Sequence, residues 1–378
     1  EQINVQNFDL SGFTRLKSLI LYGSKNLKAA QLSSISLEAK ASMEDLDLTF
    51  ISLKNFKFSG FTGLKKISLS YTEDLTAAQF NAISIKAKAS IESLDLSNTV
   101  VTDFDFSGFI ALKKLTLKET KNLTSAQFNA IPLETKMSIE ELNLGGYYIK
   151  NSDFDFSTFV NLKKITSDCR LTAEQFNTLP KGNLEEINFD HADLTDFDFS
   201  KLVKIKKITL FFSEITATEF NKIPVEGKAS LEELTLYKMD VTAFNFSGCI
   251  ALKSLHLGRS KGLSAKQFNE IPNKKLIEDL SLSNVQIKDF DFSEFINLRD
   301  LYLMGFSEPS YLSSAVRALG FNYSAPFAKE FNAIPSEGRA SIRNLYLGHE
   351  DNSLFGSSAY RDVAGYDFSG FTGLESLI

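Results

Sequence analysis

Tryptophan is absent from the 378 residues, and cysteine (two), histidine (three), methionine (four) and proline (seven) are scarce. Cys169 and Cys249 are 80 residues apart, several repeat turns by the spacing described below, so no bridge is expected and a disulfide-built scaffold is excluded. The histidines are His191, His256 and His349, and neither a His-Glu-x-x-His helix, a paired-cysteine motif nor a phosphate loop occurs. No catalytic site, metal site or cofactor is expected on that ground. No apolar run approaches the ~18 residues that a membrane-spanning helix needs. Basic excess is lacking too. A net charge of -6 and a pI near 5.4 argue against a nucleic-acid groove, which requires a positive surface.

What the chain has in quantity is phenylalanine, 34 residues of it, arranged in copies of one hexamer. FDFSGF from Phe104 recurs as FDLSGF from Phe8, FKFSGF from Phe56, FDFSTF from Phe154, FDFSKL from Phe197, FNFSGC from Phe244, FDFSEF from Phe290 and YDFSGF from Tyr366. Between the hexamers lies a second pattern, L-x-x-L-x-L, as in Leu112, Leu115, Leu117 and again in Ile139, Leu142, Leu144. About fifteen such segments occur, at intervals alternating near 27 and 21 residues. A short unit repeated at fixed spacing signals a stacked array, each turn burying its apolar face against the next.

These segments resemble the leucine-rich repeat family over nearly the whole chain. The stretch around Cys249, F-S-G-C-x-x-L-K-S-L, is similar to the BspA-like class of bacterial and protist surface repeats. The resemblance implies an α/β solenoid: a curved array of about fifteen turns, a parallel sheet on the concave face, and short convex helices in alternate turns. It also implies a single domain over 1–378, surface or secreted in role. The sequence departs from the family at the ladder asparagine, three residues past the last strand leucine. Longer units place Thr72, Thr120, Ser213 or Ser260 there, and shorter units Ile51, Thr99, Ala192, Met239 or Val285. A hydroxyl can satisfy loop amides, whereas Ile, Met and Val cannot, so the shorter turns need another device.

Each longer unit carries a helix start. In L-T-S-A-Q-F, Thr124 and Gln127 form a capping box, and Leu123 with Phe128 a hydrophobic staple. The helix is expected to stop near the proline of F-N-A-I-P, as at Pro132, and the shorter units to turn through the hexamer without a helix. The strands alternate in charge. Lys66, Lys114, Lys164 and Lys207 in longer units face Asp45, Glu141, Glu186, Glu233 and Asp279 in shorter ones, which predicts a neutralising ladder across neighbouring strands. The doubled acids Asp103 with Asp105, and Asp289 with Asp291, are candidate calcium ligands by oxygen chemistry. Asn55 with Lys57 and Ala243 with Asn245 at the same places favour turn formation instead.

Regularity fails in the last quarter, where insertions are expected at about 304–327 and 349–363. Inserted segments in repeat arrays commonly decorate one face and carry recognition. Nearby, Asp300, Tyr302, Met304 and Tyr346 replace the small polar residues of earlier strands. Together with Phe211, Tyr237 and His256 they form the candidate partner-binding set. The reading is a non-enzymatic recognition or scaffold module for a protein or peptide partner, with no nucleic acid and no membrane span. The rival is a self-associating coat or surface protein. Glu1 opens within a repeat, which predicts a preceding segment and is compatible with secretion.

Overall fold

The computed structural model describes residues 9–23, 27, 29–72, 74–146, 153–168, 171–303, 328–347 and 365–378. Both expected insertions, Met304, His349 and Cys169 therefore lie outside the described residues. The chain forms two compact units, Glu1–Asn188 and Phe189–Ile378. The first contains β1 (Ser18–Ile20), β2 (Asp45–Asp47), β3 (Lys66–Ser68), β4 (Ser93–Asp95), β5 (Lys114–Thr116), β6 (Glu141–Leu144) and β7 (Lys164–Ser167), with β8 (Glu186–Asp190) at the division. The second contains β9 (Lys207–Phe211), β10 (Glu233–Tyr237), β11 (Ser254–His256), β12 (Asp279–Ser281), β13 (Asp300–Tyr302), β14 (Asn344–Tyr346) and β15 (Ser376–Leu377). Within each unit spatial order follows chain order, and the pairs are parallel. Register is uniform: Leu115 pairs with Leu142 and Leu234 with Leu255, all fully buried. A register slip of one residue would turn every one of these leucines to solvent.

The helices form where the capping chemistry allows. Thr124 Oγ1 accepts from Gln127 N at 3.2 Å while Thr124 N donates to Gln127 Oε1 at 2.9 Å, opening the helix Ser125–Asn129. The same box opens Ala77–Asn81, Ala173–Thr178, Ala217–Asn221 and Ala265–Asn269. Each helix is only a turn or so long, so its stability comes from tertiary packing rather than propensity. The packing is aromatic: Phe128 stacks on Phe154 at 4.3 Å and on Phe159 at 5.6 Å, and Phe268 repeats this with Phe290 and Phe295.

One expectation about the longer units needs correction. The helix does end before Pro132, but that proline opens a second helix, Leu133–Ser138, and the pattern recurs at Val225–Ser230 after Pro224. Proline is excluded from a helix interior yet tolerated at its start, where no amide partner is needed. Where serine stands instead, Ser84 Oγ accepts from Ala87 N at 3.2 Å. The hexamer segments turn without helices, as expected.

Three polar side chains knit the turns together. Gln267 Nε2 donates back to Val241 O at 2.9 Å and Phe244 O at 3.1 Å, in the preceding loop. Asn129 reaches forward: its Nδ2 donates to Asp153 O at 2.7 Å and its Oδ1 accepts from Asp155 N at 2.8 Å. Asn81, Asn221, Asn269 and Asn332 bracket the following hexamer in the same way. The second helix adds a buried lysine. Lys88 is 1% exposed, donates to Asp105 O at 2.9 Å and lies over the Phe109 ring at 5.3 Å. Lys136, Lys181, Lys228 and Lys274 occupy equivalent places, with Arg339 in the last. Burial holds the Lys88, Lys136 and Lys228 ammonium groups below the usual lysine range.

The ladder question resolves in two ways. The amides of Ala192 and Met239 donate to Ser213 Oγ (3.2 Å) and Ser260 Oγ (3.3 Å), so the hydroxyl of the next longer unit serves the shorter one. Ile51 N and Val285 N instead donate three residues back to Leu48 O and Leu282 O, each at 3.0 Å. Among the described residues no helix is long and apolar enough to cross a membrane.

Candidate functional site

Between the inward leucines, two residues of every strand segment face solvent, and these carry the charge. Lys114 meets Glu141 at 3.0 Å and Lys207 meets Glu233 at 2.6 Å, each pair in direct register, and Lys164 meets Glu186 at 2.8 Å. Lys66 and Asp45 lie at 3.7 Å. One residue earlier runs a second row, with Lys65 on Glu44 at 2.7 Å, Lys113 on Glu92 at 2.9 Å and Lys253 on Glu232 at 2.6 Å. Lys17 and Lys65 both donate to Glu44 and depress its carboxyl to about 2. Such exposed pairs are screened by solvent and add little stability each; their main effect is to match each strand with its neighbours.

In the second unit the neutralising pattern stops. Ser254, Asp279, Asp300 and Asn344 stand in one register across β11 to β14. Lysine is missing from this row, and two acids are neighbours. Asn344 Nδ2 donates to Asp300 Oδ1 at 2.7 Å, and Ser254 Oγ donates to Asp279 Oδ2 at 3.2 Å. Two positions along the strands, His256, Ser281, Tyr302 and Tyr346 share the next exposed register. The Tyr302 and Tyr346 rings stack at 4.2 Å and 5°, and His256 meets Tyr302 edge-on at 6.2 Å. His256 Nε2 lies 2.8 Å from Asp279 Oδ2. Burial above all, then Tyr346, then Asp279 and Asp300 raise the Tyr302 phenol to about 12.

Phe211 and Tyr237 are brought together elsewhere, at the far ends of β9 and β10, in register with rings 5.8 Å apart. Arg259 lies over Tyr237 at 5.7 Å. The sequence reading missed their companions in the adjoining loop: Phe212 stacks on His191 at 4.8 Å, and Lys238 Nζ lies 5.0 Å from the Phe212 ring centre. His191, Phe212, Lys238 and Arg259 all have positive φ, between 48° and 57°. The same loop position holds Asn98 and Asn284 elsewhere, residues better suited to left-handed backbone. That contrast was available in the sequence, since one aligned column mixes Asn with bulky rings. The seven candidates thus divide into Asp300, Tyr302, Tyr346 and His256 in one cluster, Phe211 and Tyr237 in another, and Met304 outside the described residues.

The catalytic and metal alternatives have specific geometries against them. Ser254, His256 and Asp279 are neighbours, but the carboxylate lies between hydroxyl and imidazole, whereas general-base activation of serine needs the imidazole in the middle. The doubled acids serve turns. Asp103 and Asp289 take left-handed backbone, while Asp105 Oδ1 and Asp291 Oδ1 accept from Ser107 N and Ser293 N at 2.8 and 2.9 Å. No cluster of three or more His, Cys, Asp or Glu suited to a metal ion occurs among the described residues. Cys249 is buried, and burial pushes its thiol up to about 11, away from nucleophilic use.

No protein-family model and no curated protein matches the chain. Among solved structures, an internalin (inlF) from Listeria monocytogenes is similar with a TM-score of 0.55 and 15% identity, over 78% of this chain and 88% of that one. Lower scores come from the Drosophila Toll–Spatzle complex (0.47; 18% identity; 83% of this chain, 45% of that one) and the mouse RP105/MD-1 complex (0.44; 14% identity; 90% and 68%). With the repeat spacing and the strand order already described, the internalin likeness gives this chain the fold of the leucine-rich repeat proteins.

Proposed function

We propose that the chain is a non-enzymatic recognition module whose second unit binds a protein or peptide segment through the exposed strand face at β11 to β14. The supporting observation is the stacked pair Tyr302 and Tyr346 beside the neighbouring acids Asp279 and Asp300. In the same row Lys114, Lys164 and Lys207 each meet an acid of a neighbouring strand, whereas the strand neighbours of Asp300 are Asp279 and Asn344. Stacked rings supply contact area at small entropic cost, and aromatic residues are favoured at interface centres. The carboxylates select a basic side chain: a lysine or arginine laid across the tyrosines would meet both a π face and charge-assisted acceptors. Asp300, Tyr302, Tyr346 and His256 are the proposed contacts.

A displayed peptide library selected on the whole chain tests this. Enriched peptides should carry Lys or Arg, and Asp300→Asn or Tyr302→Ala should weaken a selected peptide by about tenfold or more, the scale of one charged hydrogen bond. Selected binders without basic residues, or binders indifferent to both substitutions, would overturn the reading.

A second reading, self-association, has its own observation. Leu37, Ile85 and Leu133 are 70%, 67% and 56% exposed at one helix-start position of the first unit, and Val225 is 76% exposed at the equivalent place of the second. Light scattering across a concentration series separates the two readings. A constant monomer mass removes the second.

A further inference from the structure

In the row that begins at Lys17 and Glu44, sign alternates without exception from β1 to β13: Glu44, Lys65, Glu92 and Lys113 in the first unit, Lys253 and Glu278 in the second. The alternation breaks once. Arg299, preceding β13, is followed in register by Arg343, preceding β14, since Arg343 N and Asn344 N both donate to Arg299 O at 2.8 and 2.9 Å. Beyond the break the alternation resumes in opposite phase, with Glu375 preceding β15. Like charges directly opposite each other on a sheet are destabilising, so this pair is held at a cost that the other strands avoid.

A cleft of about 440 Å³ opens at the same place, lined by Glu278, Asn297, Arg299, Ser341 and Arg343. The two smaller polar residues are engaged: Ser341 Oγ donates to Leu298 O at 2.6 Å and Asn297 Nδ2 donates to Lys275 O at 2.8 Å. Glu278, itself in the cleft wall, lies 3.4 Å from Arg299 Nε, Glu375 lies 3.8 Å from Arg343 Nε, and Arg343 Nη1 donates to Gly373 O at 2.8 Å. Both arginines remain about half exposed or more, at 66% and 47%. Two anchored, planar donors sharing an open cleft are built for a bidentate oxyanion.

We propose that this cleft is an anion site that takes the carboxylate of an acidic side chain on the protein partner. The inference rests on the protein-binding reading above and deepens it. A carboxylate between Arg299 and Arg343 restores the missing acid of the row, and the adjoining acids of β12 and β13 fix the opposite charge next to it. The partner therefore presents an acidic and a basic residue side by side.

An acetyl-capped, fluorescein-labelled hexaglutamate peptide, titrated by anisotropy against the whole chain, provides the test. The wild-type chain should bind it saturably, with sulfate competing. The informative variant is Arg343→Glu with Glu375→Lys, which completes the alternation through β15 and leaves net charge unchanged. It should keep or raise thermal stability and lose hexaglutamate affinity by about ten- to hundredfold. Undiminished binding by that variant, or no saturable binding by the wild type, overturns the proposal. If the double variant fails to fold, Arg299→Gln and Arg343→Gln alone must each weaken binding several-fold, and equal affinity overturns it. Hexaglutamate binding should survive Tyr302→Ala. A selected basic peptide that still binds the double variant normally, while hexaglutamate does not bind the wild type, removes the anion site and leaves the tyrosine patch standing.

Discussion

The buried lysines allow a stabilising substitution to be designed from the repeats themselves. Lys88 Nζ lies 3.7 Å from Asp105 Oδ2, and the same acid recurs as Asp155 beside Lys136 and Asp291 beside Lys274. At the equivalent place beside Lys228 stands Asn245, so that ammonium has only the Asn245 carbonyl at 2.9 Å and the Phe220 ring at 5.3 Å to offset its burial. Asn245→Asp should supply the missing counter-charge without disturbing the turn, because Asn245 Oδ1 already accepts from Ser247 N at 2.9 Å as Asp105 Oδ1 does from Ser107 N. At 3.7 Å the Coulomb energy is about 1 kcal/mol at the dielectric of water and about 4 at an effective value near 20. The lysine is buried but its acid is 53% exposed, so screening keeps the expected gain near 1 kcal/mol, about 2–4 °C in the melting of a unit this size. The sign of its pH dependence follows from the acid. Hydrogen bonds from Ser107, aided by Lys88, lower the Asp105 carboxyl, and an aspartate lowered in the folded state stabilises above the unfolded value near 3.9. The gain should be complete at pH 7 and vanish as pH falls below about 4. Urea melts at both pH values, repeated in a Lys228→Gln background, measure it. No gain at pH 7, or the same gain without the lysine, would refute the reasoning.

Phe128→Ala removes a ring that is fully buried and stacked on both Phe154 and Phe159. It should cost about 3–5 kcal/mol and sharply lower the urea midpoint of the first unit, whereas Val160→Ala, at a 38% exposed site, should leave that midpoint nearly unmoved. Cys249 is fully buried with its thiol held up at about 11. In a Cys169→Ser background it should therefore resist maleimide in native buffer and react within the dead time in urea; rapid native labelling followed by mass spectrometry would contradict the packing described.

The repeat hierarchy was legible because its causes are local and periodic. Capping boxes at Thr124 and Gln127, staples at Leu123 and Phe128, and inward leucines at Leu115 and Leu142 are each set by neighbours within one unit. The Asn129 bridge and the Lys136 column were not read, although both residues recur, because their partners are backbone carbonyls that carry no side-chain signature, Asp153 O a turn away for Asn129 and Asn129 O within the unit for Lys136. The second helix after Pro132 was lost to a one-sided use of proline as a terminator. The ladder problem was posed correctly and answered only by geometry, since Ser260 serves Met239 across 21 residues.

The candidate site was half legible for a related reason. Tyr302 and Tyr346 stood out as large residues in a column of small ones, but a substitution of size is easier to see than a failure of alternation. Asp279 was read as one more rung of the charge ladder, which is correct for its own strand and misleading for its neighbour, because Asp300 occupies a place where earlier longer units hold lysine. The Arg299 and Arg343 pair escaped for the same cause: each arginine is ordinary within its own segment, and only the register that sets them side by side makes them unusual. In a repeat array the functional information is therefore carried by phase between turns rather than by motif within a turn. Both breaks fall within three successive strands, beside the stacked tyrosines, whereas the remaining rows cancel or dilute their charge. Their coincidence beside the stacked rings is the physical ground on which recognition is proposed there.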